Sequence, residues 1–233
     1  MNHFDPKVLS KLKSLYLRAR FVVDGVMVGI HPSRAKGFSS EFEGHREYAQ
    51  GDDLRHMDWK AYAKFDRYFV KEYQEATNLR ATLLLDTSSS MNYASNGWSK
   101  FDCGSTLAAS LAYLMLKQQD AVGLITFSRR IEKMIPPMAT FGHLFAILKE
   151  LEDRIPQGET SSGPVIQELA GSLKRRGFII LISDLLDEPE EVMRGLKQLR
   201  SKGNDVMVFH LLDRDELEFP FEQPTLFMDL EED

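Results

Sequence analysis

The stretch LRATLLLDTSSSMNY, residues 79–93, decides how the rest of the chain is read. It contains three consecutive leucines, Leu83–Leu85, which break the polar alternation of a half-exposed strand. That pattern belongs to a strand buried on both faces. The run stops on Asp86, and a cluster of hydroxyls and Met91 follows at once. A second run of the same kind, GFIILISD at 177–184, also stops on aspartate.

Working outward from these two runs, strands and helices alternate. KFDCGSTLAASLAYLMLKQQ (100–119) reads as a helix, and AVGLITF (121–127) and IEKMIP (131–136) as strands. TFGHLFAILKELED (140–153) and SSGPVIQELAGSLKRR (161–176) read as helices, the latter interrupted near its start by Pro164. EPEEVMRGLKQLRSK (188–202) is a further helix and DVMVFHLL (205–212) a further strand. Such alternation predicts an α/β fold whose largely parallel, doubly wound sheet is covered on both faces. Upstream the texture differs. Residues 7–20 place Val8, Leu9, Leu12, Leu15 and Tyr16 on one helical face. Residues 37–76 are rich in aromatics and charges and read as short strands, a turn, a helical stretch and a strand near Tyr68 to Tyr73. The expected division is a smaller N-terminal β-containing unit over 1–77 and an α/β domain over 78–233.

Parallel strands deliver their C-terminal ends to one edge of the sheet, where ligands bind at the point of reversed strand order. Asp86 and Asp184 are therefore expected close together. Two carboxylates so placed repel, unless one gains a proton or a cation sits between them. Ser88 and Ser90 add hydroxyls just past the first strand, and Thr160 in PQGETSSG adds one from a loop before a helix. A set made only of oxygens suits Mg²⁺, with Mn²⁺ or Ca²⁺ as alternatives, rather than Zn²⁺. Each residue alone reads as readily as a helix cap or turn former; the combination, in this order, points to a metal site.

LLLDTSSSM resembles the D-x-S-x-S signature of von Willebrand factor type A domains, which build a metal-ion-dependent adhesion site. The resemblance implies that Ser88 and Ser90 ligate Mg²⁺ directly. Asp86, Thr160 and Asp184 then complete the shell directly or through water. One position is left for an acidic residue of a protein partner. Gly158-Glu159-Thr160 stands where that family has Gly-Gly-Thr, and Ser161 and Ser162 are close substitutes for Thr160. Upstream, Arg46, Glu47, Tyr48, then Gly51, Asp52, Asp53, Arg55, Met57, Asp58 and Trp59 resemble the domain-of-unknown-function fifty-eight family of bacteria. Met57 replaces the usual Ile. That resemblance covers roughly Gly37 to the C-terminus. It implies a MoxR-type AAA+ ATPase as partner, a client protein beyond it, and chaperone-like assembly or activation. It also implies that the last helix and strand of a full type A domain are missing here or supplied differently.

The remaining signals narrow the function by class. The net charge of −6 gives no reason to expect nucleic acid as partner. The charges between Arg34 and Glu75 are of both signs. They fit an ion-paired subdomain, or a recognition surface with Trp59, Tyr62 and Tyr68 as anchors. A single cysteine, Cys103, and no apolar run of about 20 residues fit a cytoplasmic protein without a transmembrane segment. No phosphate-binding G-x-x-x-x-G-K-[ST] loop and no G-x-S-x-G elbow occur. A phosphoaspartate enzyme using Asp86 would want a second aspartate where Ser88 stands. The expected activity is binding, not catalysis; a Mg²⁺-dependent phosphoryl or hydrolytic enzyme and a purely structural scaffold are the alternatives.

Overall fold

The computed structural model describes residues 12, 14–29, 42–48, 67–73, 79–159, 162–173, 176–223, 225, 226 and 230, with positions 9, 57, 59 and 62 singly. In chain order the elements are α1 (Leu15–Gly29), β1 (Phe42–Glu47), β2 (Phe69–Tyr73), β3 (Arg80–Asp86), a 3₁₀ turn (Ser89–Asn92), α2 (Lys100–Lys117), β4 (Ala121–Phe127), β5 (Ile131–Met138), α3 (His143–Asp153), α4 (Ser162–Ser172), β6 (Phe178–Ser183), α5 (Pro189–Ser201), β7 (Asp205–His210) and α6 (Arg214–Glu218). The chain divides into two compact units, one of Met1–Ile30 with Leu79–Asp233 and one of His31–Asn78.

The larger unit is an α/β fold around a five-stranded sheet in the order β5-β4-β3-β6-β7. β3 pairs in parallel with both β4 and β6, and β6 in parallel with β7. β5 runs antiparallel to β4, so the sheet is mixed rather than wholly parallel. The reason is the link: only Ser128–Arg130 separate the two strands, far fewer than the dozen or more residues of a parallel crossover.

Side-chain alternation along the buried strands builds two cores. Leu83 and Leu85 of β3, with Val122, Leu124, Ile180 and Ile182, pack under α1, α2 and α3. Leu84, Ile125, Phe127, Ile179 and Leu181 face the other way, against Val165, Ile166 and Leu169 of α4 and Val192 and Leu199 of α5. Each fully buried leucine or isoleucine contributes about 1.5–3 kcal/mol of hydrophobic stabilisation, so the two layers fix the register of β3 firmly.

The N-terminal helix differs from the sequence reading in extent and in company. It runs to Gly29 and belongs with the α/β unit, not with the small sheet. Leu15, Ala19 and Val23 enter the core against α2, and Tyr16 meets Tyr113 edge-on at 6.0 Å and stacks on Phe145 at 6.2 Å. Valines and Gly25 lower its intrinsic helicity; tertiary packing supplies what propensity lacks.

The smaller unit holds an antiparallel pair, β1 with β2, from Phe42 opposite Tyr73 to Glu47 opposite Phe69. Tyr62 stacks on Tyr68 at 4.6 Å, and Trp59 meets Tyr62 edge-on. Trp59 is 62% and Tyr68 50% exposed, so these two rings are open to solvent. Asp52, Asp53, Arg55 and Asp58 lie outside the described residues.

Candidate metal centre

The register of the sheet brings the two strand-ending aspartates together. Leu85 lies opposite Ile182 on neighbouring parallel strands. Asp86 therefore closes β3 beside Ser183 and Asp184 at the end of β6. Both aspartates are buried, at 0% and 1% exposure.

The Asp86 carboxylate organises the loop after β3. Its Oδ1 accepts the backbone N–H of Ser88 at 3.0 Å, and its Oδ2 accepts the hydroxyl of Ser183 at 2.6 Å. The 3₁₀ turn then carries Ser90 back beside Ser88, their hydroxyl oxygens 2.9 Å apart and both buried. Burial pushes the Asp86 carboxyl up from 3.8 to about 6. The hydrogen bonds from Ser183 and Ser88 pull it down, and the nearby charge of Asp184 pushes it up.

Asp184 has a partner that the sequence did not disclose. The Lys100 ammonium lies 2.8 Å from its Oδ2, with both side chains buried. The same ammonium donates to Glu216 Oε1 on α6 at 2.7 Å. Burial acts to lower the Lys100 pKa, but the hydrogen bonds and charges of Asp184 and Glu216 outweigh it and leave the pKa raised. So the carboxylate pair is not left to bare repulsion: Asp184 is neutralised by Lys100, and Asp86 is held by hydroxyl and amide donors.

The second loop is strapped to the first. Ser89 N–H donates to Gly158 O, Gln157 N–H to Thr87 O, and Asn92 Nδ2 to Pro156 O, each at 2.9 Å. On its far side Gly163 N–H donates to Asp187 in the loop after β6, at 3.0 Å. Thr160 and Ser161 lie between these anchors but outside the described residues. Ser162 is fully buried, and its hydroxyl has no hydrogen-bond partner among the described residues. Of the five expected ligands, then, Asp86, Ser88, Ser90 and Asp184 gather at one sheet edge, and Thr160 lies outside the described residues.

The donor set can be tested against a divalent ion. Among the described residues no three His, Cys, Asp or Glu side chains cluster as a metal site, so an ion would depend on hydroxyl donors. Two oxygens, each about 2.05 Å from an octahedral Mg²⁺, stand about 2.9 Å apart when adjacent. The Ser88 and Ser90 hydroxyls have that spacing through a hydrogen bond to each other, which an ion would replace. A cation would also lower the energy of the raised, buried Asp86 carboxylate. The residues after β3 thus fit a hard dication, and Asp184 fits one only in competition with Lys100.

Lys100, Ser183 and Glu216 were all missed in the sequence. For Lys100 there was a faint signal. It is the first residue of α2, directly after the Ser99 cap, and a cation is disfavoured at the positive end of a helix. A lysine there calls for a carboxylate outside its own helix.

Residues 44–233 match the family model described as "Protein of unknown function DUF58". The chain belongs to this family. Among DUF58-like relatives, the uncharacterized protein Rv1480 of Mycobacterium tuberculosis (strain ATCC 25618 / H37Rv) is 27% identical over 230 residues, covering 97% of this chain and 72% of the relative. The uncharacterized protein Mb1516 of Mycobacterium bovis (strain ATCC BAA-935 / AF2122/97) gives the same figures. Among solved structures, an aerotolerance-related membrane protein from Bacteroides fragilis NCTC 9343, carrying multiple mutations to serines, is similar at 23% identity. Its TM-score is 0.48, over 57% of this chain and 67% of that one. The conserved hypothetical protein BatB from Bacteroides thetaiotaomicron is similar at 22% identity and TM-score 0.47, over 56% and 65% of the two chains. No helix among the described residues is long and apolar enough to cross a membrane.

Proposed function

We propose that this DUF58 chain is a metal-dependent protein-binding module built on a doubly wound, von Willebrand factor type A-like core. The observation that carries the reading is the Ser88–Ser90 hydroxyl pair, 2.9 Å apart and buried, at the sheet edge that holds Asp86 and Asp184. Ser88 and Ser90 would hold Mg²⁺ (or Mn²⁺ or Ca²⁺), with Asp86, Thr160 and Asp184 completing the shell. The bound ion supplies an electrophilic position that an acidic side chain of a partner can fill. Asp86 fixes the loop through Ser88 N–H and balances the ion's charge; Ser183 keeps that carboxylate aimed.

The partner we infer is a MoxR-type AAA+ ATPase in the cytoplasm, acting with this module in chaperone-like assembly or activation of a client protein. Binding is favoured over catalysis because Asp86 is fully buried with both carboxylate oxygens engaged, a poor setting for a nucleophile. Exposed Trp59 and Tyr68 offer aromatic anchors for such a partner on the smaller unit.

The test is co-purification of the chain with a MoxR-type ATPase from the same genome, in Mg²⁺ and in chelator. Capture should need the metal and be lost in Ser88→Ala. Capture indifferent to both would contradict the proposal, and phosphatase activity that depends on Asp86 would favour the enzyme instead.

A further inference from the structure

Lys100 is the buried cation that the metal reading leaves unused. Its ammonium stands between Asp184 at 2.8 Å and Glu216 at 2.7 Å, with a side-chain exposure of only 3%. The Tyr93 ring lies 5.9 Å away, and the negative charge of Asp213 is also felt there. The two carboxylates are not equivalent. That of Asp184 is fully buried at the end of β6, whereas that of Glu216 is 29% exposed on the short helix α6. α6 is itself tied to the loop after β3. Ser95 N–H donates to Asp213 Oδ2 at 3.1 Å, and the Tyr93 hydroxyl reaches Asp215 Oδ2 at 3.4 Å. Asp213 and Glu216 form the capping box that starts the helix.

A divalent ion drawing on Asp184 meets this ammonium directly. It must share the carboxylate, and it is repelled by a positive charge in a buried setting where screening is weak. Glu216 gives the ammonium somewhere else to go without leaving it unpaired, which a buried charge could not tolerate. We propose that Lys100 is an internal competitor of the metal for Asp184, and that Glu216 on α6 holds the ammonium in reserve and thereby sets how readily the site takes an ion. The inference rests on the metal reading above and adds the residues that tune it. Lys100 and Glu216 are positioning residues here and touch no ligand themselves.

The experiment is calorimetric titration of MgCl₂ into chelator-stripped full-length wild type, Lys100→Gln, Lys100→Arg and Glu216→Gln, with melting curves in chelator for each. Removing the ammonium both frees Asp184 and removes repulsion, so Lys100→Gln should bind Mg²⁺ at least about tenfold tighter than wild type. Its metal-free melting point should drop, because Asp184 is left as an unpaired buried charge. Lys100→Arg keeps the charge and should stay near the wild-type affinity. Glu216→Gln confines the ammonium to Asp184 and should weaken binding by about threefold or more. A merely structural lysine would lower the melting point without tightening the metal. If wild type binds and folded Lys100→Gln binds no tighter, this inference is overturned while the metal reading stands. Should Lys100→Gln not fold, an unchanged affinity in Glu216→Gln overturns it equally. Binding by neither wild type nor folded Lys100→Gln overturns both readings.

Discussion

Replacing Asp184 with asparagine separates carboxylate repulsion from ion pairing. From the sequence alone, two neighbouring aspartates predict that Asp184→Asn relieves repulsion and is neutral or mildly stabilising without metal. The structure reverses the sign. Asp184 sits 2.8 Å from a Lys100 ammonium with both side chains buried, and removing one partner of a buried pair typically costs about 3–5 kcal/mol. Two effects trim that figure: Glu216 still holds the ammonium at 2.7 Å, and Asp86 loses a repulsive neighbour. The expected net loss is about 2–4 kcal/mol, which lowers the melting temperature by about 4–16 °C for a domain of this size. The gap should widen at pH 5, where Asp86 is protonated and there is no repulsion left to relieve. Differential scanning calorimetry in chelator at pH 5 and 7.5 reads both effects. A variant that melts at or above wild type at pH 7.5 would refute the pairing argument.

The Asp86 carboxyl is raised to about 6 from 3.8, so the folded state holds its proton at higher pH than the unfolded chain does. Stability linked to that proton is fully present below about pH 4 and is lost as pH rises through about 6. At 1.36 kcal/mol per unit it amounts to about 3 kcal/mol; urea titrations from pH 4.5 to 8 in chelator should show the decline, and Asp86→Asn should flatten it. A Cβ on Gly163 would lie 2.5 Å from Glu191 Cβ and 2.8 Å from its carbonyl carbon. Gly163→Ala should therefore force α4 and α5 apart and cost about 1–3 kcal/mol in thermal melts. Trp59 is 62% exposed, so Trp59→Ala should change stability by less than about 1 kcal/mol, against the 3–5 kcal/mol of a buried aromatic; a large drop in the melting curve would mean the ring is packed.

Much of the fold was legible because β3 ends in Leu83–Leu85 and β6 is apolar from Phe178 to Ile182, and such runs have few homes other than a doubly covered sheet. The same runs predicted that Asp86 and Asp184 lie together, since neighbouring parallel strands present their ends at one edge, and the pairing of β3 with β6 puts them there. The antiparallel direction of β5 was legible in the short link Ser128–Arg130, which is too short for a parallel crossover. The N-terminal helix was placed with the wrong unit because hydrophobic spacing reports a buried face and not what buries it. Lys100 and Glu216 stayed hidden for a related reason. A lysine at a helix start and a glutamate in DRDELE both read as solvated charges, and only the fold brings together residues 116 positions apart. α6 itself is too short for a periodic signal; its capping box, Asp213 with Glu216, was the one local cue.

The central claim is that the hydroxyls after β3 hold a divalent ion. The most direct measurement is calorimetric titration of Mn²⁺ and Mg²⁺ into chelator-stripped wild type and the Ser88→Ala/Ser90→Ala double variant. The variant keeps Asp86, Ser183 and the Lys100–Asp184 pair intact. The account predicts one ion bound per chain by wild type at millimolar concentration or below, and binding abolished in a variant that melts normally. Absence of binding by wild type, or equal binding by both proteins, would contradict it.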